Sequence, residues 1–269
     1  MIKKTPIVLV ALAAILLGVG ALLTINYETI AKIFPQSQTA AVSDFSSNLI
    51  LHYTFDGGTA SDSSGNGRNG TVEGATATTG KIGGALSFDG VDDFVSAGDV
   101  DAIDGLSAFT VSTWVKPNSS RPAGSPAFIS KWDDSFGGQF ILYYTSTSNA
   151  CDLVLWGSSI VEANSGGTTC LEDTNWHHVV AVYDGSTIQM YIDTRPKGDA
   201  KSLSGGIKSG DGHDLLIGKS SGSPTHQFAG AIDDVRIYNR ALTPAQIGEL
   251  YNLSGDTPPA EEKIGRAHV

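Results

Sequence analysis

Seven segments of the chain alternate apolar and polar residues with a period of two, and glycine-rich turns separate them. They are residues 49–55, 109–115, 139–144, 177–184, 187–193, 213–218 and 229–239. A period of two places successive side chains on opposite faces of a β-strand, whereas a helix repeats about every 3.6 residues. Asp184-Gly185, between two of these segments, is typical of a tight hairpin turn. The pattern predicts an all-β fold, a two-sheet antiparallel sandwich with roughly a dozen short strands.

One segment near the C-terminus, residues 242–252, has the helical period instead. Thr243 can cap the first turn, and Pro244 suits the first helical position because its missing N–H is not needed there. The apolar stripe of this segment consists of Ile247, Leu250 and Tyr251. The sequence therefore predicts one short C-terminal helix beside the sandwich.

The N-terminus is expected to carry an export signal. Two lysines precede an uncharged stretch of nineteen apolar or small residues, 7–25. A signal-peptide core usually has about 7–15 such residues and a membrane helix roughly 17–25. Residues 1–25 thus predict a hydrophobic helix that serves as an uncleaved signal anchor, and a long cleavable signal peptide is the alternative. Residues 26–48 are interpreted as a linker, so the rest of the chain is expected outside the cell or at its surface.

The C-terminal end is expected to be a linker followed by a foreign hexapeptide. Residues 253–263 include two consecutive prolines and are interpreted as a Pro-rich linker. The last six residues, 264–269, match the translation of a common sequencing adapter. This match leads to the hypothesis that the natural protein continues beyond residue 263.

Charge and cysteine content limit the partners and the compartment. The net charge is -11, with 17 basic and 28 acidic residues, and no basic cluster lies beyond the N-terminus. Nucleic-acid binding is excluded because it needs clustered lysine and arginine, and membrane contact is expected through the N-terminal segment only. The two cysteines of the chain, Cys151 and Cys170, are expected to form a disulfide in an exported protein.

Five blocks in order resemble the laminin-G-like, concanavalin A-like jelly-roll domain of many bacterial surface and carbohydrate-active proteins. The resemblance covers residues 49–252. Its blocks are LILHYTFDGGTASDSSGNGRNG, GKIGGALSFDGVDDFVSAG, LSAFTVSTWVKP, NWHHVVAVYDGSTIQMYID and FAGAIDDVRIYNRALTPAQIGELY. The resemblance implies a jelly roll with its last long strand beside the first. It also implies a binding or adhesion module more often than an enzyme.

Catalytic motifs of the same architecture are missing from the sequence. Related glucanases carry two glutamates in a Glu-x-Asp-x-x-Glu strand, and no glutamate here has that pattern. Adjacent His177 and His178 cannot chelate one metal ion because neighbours on a strand point to opposite faces, so one is expected packed and one exposed. The sequence predicts a non-catalytic protein.

Three aromatic residues are candidates for ligand contact, because sugars stack on exposed aromatic rings. Trp132 is expected in a loop between FISK and DDSFGG, whereas Tyr143 and Trp156 have the opposite parity to the aliphatic residues beside them. These three residues favour the interpretation of the chain as a surface-tethered carbohydrate-binding or adhesion module. The alternatives are a non-lectin protein-interaction or spacer domain of a larger surface protein, or an ancillary module of a downstream glycoside hydrolase.

A structural calcium ion is the one expected cofactor. Asp233 shares the parity of Val235 and Ile237, so its carboxylate is expected on the core side, where it needs a partner. Related jelly-roll glucanases bind calcium between the N-terminal segment and an aspartate in the last strand, which DDVRIY resembles. The resemblance thus implies calcium held by hard oxygen ligands. The expected ligands are Asp56, Asp62, Asn66 and Asp233. Alternatively, Asp62 builds an Asx-type turn and Asp233 accepts backbone N–H groups.

Overall fold

The computed structural model describes residues 44–119, 122–133, 137–166, 170–209, 212–221 and 226–253. The predicted membrane anchor, most of the predicted linker before the domain and the C-terminal tail lie outside these residues. Within them, no helix is both long enough and apolar enough to cross a membrane.

Fifteen strands form within the described residues. They are β1 (Leu49–Tyr53), β2 (Thr71–Glu73), β3 (Thr76–Thr79), β4 (Gly84–Asp89), β5 (Phe94–Ser96), β6 (Phe109–Pro117), β7 (Ala127–Asp133), β8 (Gly137–Thr145), β9 (Ala150–Trp156), β10 (Ile160–Asn164), β11 (His177–Tyr183), β12 (Thr187–Ile192), β13 (Arg195–Ser202), β14 (Leu216–Ile217) and β15 (Ala229–Tyr238). All seven predicted segments are confirmed as strands, although the sixth shortens to two residues.

The strands form two sheets, and neighbouring strands within each sheet are antiparallel. The first sheet has the order β13-β12-β11-β6-β15-β4-β3, and β1 also pairs with β15. The second sheet has the order β10-β9-β8-β7-β14-β5-β2. The last strand therefore lies beside the first, as the jelly-roll resemblance implied. The hairpin between β11 and β12 contains Gly185 at a φ of 97°, a conformation that glycine adopts without strain.

The inner faces of the two sheets form one apolar core. Alternate residues of each central strand point into it, as the period of two requires. Fully buried examples from both sheets are Val111, Leu142, Leu153, Val179 and Ile237. The predicted disulfide between Cys151 and Cys170 is confirmed, with Cα atoms 5.6 Å apart, and both cysteines are buried in this core.

The predicted C-terminal helix, α1 (Pro244–Asn252), packs on the outer face of the first sheet. Its first turn has a capping box: the Thr243 hydroxyl accepts from the Gln246 N–H, and the Gln246 side chain accepts from the Thr243 N–H. The helix covers Trp114, whose ring centroid is 5.0 Å from that of Tyr251 and 4.9 Å from that of His178. The part of the outer face of the first sheet around Trp114 is thereby covered.

Candidate functional site

Two of the predicted ligand residues lie side by side on the outer face of the second sheet. The ring centroids of Trp132 and Trp156 are 5.9 Å apart, and the ring planes are inclined by 48°. Trp156 ends β9, in which Leu153 and Leu155 point into the core, so its side chain points outward. Both tryptophans are partly exposed.

Trp132 lies within β7 and not in the predicted loop, and Gly138 allows the close strand approach that positions it. Gly138 lies opposite Trp132 at an irregularity in the pairing of β7 with β8. A Cβ atom at position 138 would come within 2.6 Å of the Trp132 Cα and would also collide with the Lys131 carbonyl. Because backbone cannot give way as a flexible side chain can, any larger residue would push β7 and its tryptophan away.

A lysine and an isoleucine complete the surroundings of Trp156. The Lys208 ammonium lies 3.7 Å from the centroid of the Trp156 ring, a cation–π contact. Ile160, directly opposite Trp156 on β10, is 54% exposed. The cluster formed by Trp132, Trp156, Ile160 and Lys208, here called the tryptophan site, thus presents apolar surface together with one positive charge.

The third predicted ligand residue, Tyr143, lies on the same face but away from the tryptophan site. It is opposite Asp152, which precedes Trp156 by four residues in β9. At about 3.3 Å per residue, this separation is about 13 Å. The Tyr143 hydroxyl donates a hydrogen bond to Glu162, and its ring faces His226 at a centroid distance of 6.5 Å.

Beside Tyr143, the fold brings two carboxyl groups together, which the sequence did not indicate. Asp152 is 1% exposed and accepts a hydrogen bond from the Thr145 hydroxyl. Burial, and to a smaller extent the neighbouring Glu162 carboxyl group, raise the pKa of Asp152 to about 7 against the opposing effect of the Thr145 hydroxyl. Burial also raises the pKa of Tyr143. The Asp152 carboxyl group therefore binds a proton at a higher pH than an exposed aspartate does.

This carboxyl pair does not have the geometry of a glycosidase. Retaining enzymes hold their carboxyl groups about 5–5.5 Å apart and inverting enzymes about 6.5–9.5 Å apart, so that substrate fits between them. Asp152 is instead 1% exposed, so a substrate cannot reach its carboxyl group. A buried carboxyl group of this kind cannot act on a glycosidic bond.

The residues expected to hold calcium separate into two groups. Asp233 and Asp56 both contact the turn between β3 and β4. The Asp233 Oδ2 accepts from the N–H groups of Lys81 and Ile82, at 2.8 and 2.9 Å, and the Asp56 Oδ1 accepts from Gly84 at 2.6 Å. The Asp233 Oδ1 is buried and has no hydrogen-bond partner among the described residues. A buried carboxylate oxygen without a partner fits a cation ligand.

Asp62 and Asn66 instead build the glycine-rich loop after β1. The two Asp62 oxygens accept from the backbone N–H groups of His52, Ser64 and Arg68. The Asn66 amide donates to the carbonyl groups at the start of β1, whereas Asp56 follows its end. The two ends of this strand are about 13 Å apart at about 3.3 Å per residue. The structure therefore keeps Asn66 away from Asp233, and Asp62 acts as a turn-forming aspartate.

The predicted direction of the Asp233 side chain is wrong. Asp233 lies opposite Trp114, on the outer face of the first sheet, whereas Val235 points into the core. An irregularity in β15 follows Asp233, where Asp234 has a φ of 48°. The extra residue reverses the parity of the strand, as a β-bulge does. Asp233 is nevertheless fully buried, and burial raises the pKa of its carboxyl to about 7.

The expectation that one of the paired histidines is exposed is also wrong. His178 is 1% exposed, stacks on Trp114 and lies 2.8 Å from the Ser112 hydroxyl. His177 is 8% exposed and contacts Asp193 at 3.0 Å. Burial lowers the pKa of His178 to about 4. Burial also acts to lower the pKa of His177, but the carboxylates beside His177 raise that pKa overall. The two histidines are neighbours on β11, so their side chains point to opposite faces of the first sheet.

A further acidic cluster lies in the turn after β4. Asp89, Asp92 and Asp93 bring carboxylate oxygens within 4.8 Å of one another. Their hydrogen bonds lie within the turn itself: Asp89 accepts from the N–H groups of Val91 and Asp92, and Asp93 accepts from Asp89. The carboxylates of Asp89 and Asp93 therefore stabilise the turn itself.

Comparison with known proteins identifies the family. The model of the concanavalin A-like lectin/glucanases superfamily, a laminin G model, matches residues 89–248, more than half of the chain. The chain belongs to this superfamily. Among curated proteins, it is similar to adhesion G-protein coupled receptor V1 of Danio rerio, with 32% identity over 162 residues. It is also similar to adhesion G protein-coupled receptor D2 of Homo sapiens, with 30% identity over 102 residues.

These receptors are far longer than the matching part. The alignments cover 56% and 35% of this chain, but only 2% and 10% of the two receptors.

Among solved structures, domain 4 of AbnA, a GH43 extracellular arabinanase from Geobacillus stearothermophilus, has a TM-score of 0.61 at 23% identity. That similarity covers 77% of this chain and 98% of the domain. The binding domain of Paraclostridial Mosquitocidal Protein 1 has a TM-score of 0.63 at 16% identity, over 78% of this chain and 53% of that one. Superfamily membership and these structures agree on the jelly-roll fold.

Proposed function

We propose that the protein is an exported, non-catalytic glycan-binding or adhesion module whose ligand contacts the tryptophan site. The observation that carries this proposal is the partly exposed pair Trp132 and Trp156 on the outer face that the helix leaves uncovered. Indole rings stack on the apolar face of a sugar ring, and nearby polar groups bind its hydroxyls.

Two structures of similar fold support the proposal. The AbnA domain is a complex with arabinotriose, and the botulinum neurotoxin D ligand-binding domain is a complex with N-acetylneuraminic acid. The disulfide supports an oxidising, extracellular compartment. Tethering through residues 7–25 is part of the proposal.

Calcium enters the proposal as a structural ion. Asp233 and Asp56 would hold it against the turn between β3 and β4, where the Asp233 Oδ1 lacks a partner. Ca²⁺ would supply the positive charge that a buried carboxylate requires, and so fix this turn to β15. It takes no part in glycan contact, because Asp233 belongs to the first sheet and the tryptophan site to the second.

A protein-interaction domain is the second candidate, and the similarity to two adhesion receptors favours it. The tryptophan site would then receive a partner's side chains, since tryptophan is enriched at the centre of protein interfaces. Glycan binding separates the two candidates.

The test is a glycan array with the purified protein, followed by calorimetry with each oligosaccharide that binds. We expect Trp132→Ala and Trp156→Ala to weaken binding by at least about tenfold, or about 1.4 kcal/mol. Trp176→Ala is the matched control, because Trp176 is also partly buried but precedes β11 of the first sheet. Absence of any glycan signal, together with tryptophan-dependent retention of a surface protein, would favour the second candidate.

The non-catalytic part of the proposal has its own assay. The protein is expected to release no reducing sugar from laminarin, agarose or arabinan above background. Hydrolysis that Glu162→Gln abolishes would contradict this expectation and would assign catalysis to the carboxyl pair.

A further inference from the structure

Lys208 differs from the buried basic residues of the described chain. Lys131 is paired with Asp99 at 2.6 Å, and Arg236 is paired with Asp234 at 3.0 Å. Lys208 has only the Trp156 ring as a side-chain partner within the described part of the chain, although acidic residues outnumber basic ones. An ammonium group has three donors, and a ring face satisfies at most one of them.

The backbone holds Lys208 firmly at this position. Its N–H donates to the Trp156 carbonyl at 2.6 Å. The preceding residue, Ile207, is 2% exposed, and its N–H donates to the Leu106 carbonyl at 2.9 Å. The Lys208 backbone therefore cannot leave the tryptophan site without breaking its own hydrogen bond and displacing the buried Ile207. Its side chain remains partly exposed, so a ligand can reach the ammonium group.

Charge differs between the two ends of this face. Lys208 is positive at the tryptophan site, and the Asp152–Glu162 carboxyl pair lies about 13 Å away along β9. A ligand with one negative charge would be attracted at the first end and repelled at the second. Such a ligand could lie on the face in only one direction.

We propose that the tryptophan site selects glycans that carry a carboxylate, with Lys208 binding the carboxylate while the sugar ring stacks on the tryptophans. This inference rests on the proposed glycan-binding function and adds the chemical class of the ligand. A uronic acid and a sialic acid both supply the required group. A charged hydrogen bond formed in a partly buried apolar setting contributes more than an exposed one, so a clear preference over uncharged sugars follows.

The experiment compares ligands that differ in charge at the same sugar ring. Isothermal titration of the full protein uses trigalacturonate and its methyl ester as one pair, and 3′-sialyllactose and its carboxyl methyl ester as the other. We expect at least one acid to bind about tenfold tighter than its uncharged counterpart at low salt, and the ratio to fall as salt rises. The pair that shows the difference identifies the type of acid.

Variants assign the preference to one residue. Lys208→Met is expected to bring the ratio close to one, and Lys208→Arg to retain most of it. Lys116→Met is the control: it removes the same charge from an exposed site on the first sheet and is expected to leave the ratio unchanged.

Three results would overturn the inference. A ratio near one for both pairs, with binding that still requires Trp132, would refute acid selection and leave glycan binding intact. An acid preference that persists in Lys208→Met would show that a residue other than Lys208 binds the carboxylate of the ligand. Failure of all four oligosaccharides, when the array shows tryptophan-dependent binding of neutral glycans, would also reject acid selection. Failure of the array itself would instead refute the proposed function.

Discussion

Replacing Asp152 with asparagine is expected to stabilise the protein at pH 8 and progressively less at lower pH. Burial and the Glu162 carboxyl group raise the pKa of Asp152 from 3.8 to about 7. The folded protein thus retains a proton that the unfolded chain releases. The resulting stabilisation is complete below the unfolded pKa and is lost as the pH rises through the folded one. Asparagine stays neutral throughout and can donate to Glu162, so it avoids this loss.

The magnitude follows from the size of the pKa shift. A rise from 3.8 to about 7 is a shift of about three units, equivalent to about 4 kcal/mol at most. Glu162 is exposed, so water screens the pair, and we expect about 1–2 kcal/mol. For a domain of this size, this corresponds to an increase in melting temperature of about 2–8 °C.

The assay is a series of thermal melts of both proteins from pH 4 to pH 8. Other titrating groups are common to the two proteins, so the difference between their melting temperatures isolates Asp152. That difference should grow with rising pH up to about 7 and then stay constant. Glu162→Gln, which removes only the neighbouring charge, should give a smaller gain. Parallel curves for wild type and Asp152→Asn would refute the reasoning.

Three further predictions follow from other contacts. Millimolar Ca²⁺ is expected to raise the melting temperature by roughly 2–4 °C. Asp233→Asn should abolish this response, whereas Asp62→Asn should lower the melting temperature without calcium but retain the response. If neither Ca²⁺ nor EDTA changes the melting temperature of the wild type, the calcium site is rejected. Replacing Cys151 and Cys170 with alanine opens a bridge between residues 19 apart and should cost roughly 3 kcal/mol by denaturant titration; an unchanged midpoint would contradict this. Gly138→Ala should reduce both stability and Trp132-dependent binding, because its Cβ meets backbone, and normal binding would show that the close strand approach is not required.

The fold could be predicted because its signals are local. The period of two fixes strand type, the Asp184-Gly185 pair fixes one hairpin, and the capping residues Thr243 and Pro244 fix the start of α1. Each of these acts within a few residues, so no knowledge of distant contacts was needed. The order of the strands came from the resemblance, because strand pairing over long sequence separations leaves no periodic trace.

The site could be predicted only in part, because parity fails where a strand is irregular. The alternation of residues in β9 correctly predicted that the Trp156 side chain points outward. In β15 the same argument failed, since a single residue with positive φ, Asp234, shifts the strand after Asp233. Only Gly and short polar residues commonly adopt this conformation, so an aspartate in a strand is a weak warning of it. The pairing of Asp152 with Glu162 required the register of β9 with β10, which no local pattern specifies.

The difference in exposure between Trp114 and the two tryptophans of the second sheet comes from a helix far away in the sequence. Trp114 points away from the sandwich core, as Trp156 does, and would be equally suited to stack on a ligand. It is 1% exposed because α1, about 130 residues later, lies across the outer face of the first sheet and brings Tyr251 against it. The second sheet has no such cover over Trp132 and Trp156 within the described residues, so their rings stay partly exposed. The cap at Thr243 and the apolar stripe of α1 therefore decide, indirectly, which face of the sandwich is available to a ligand.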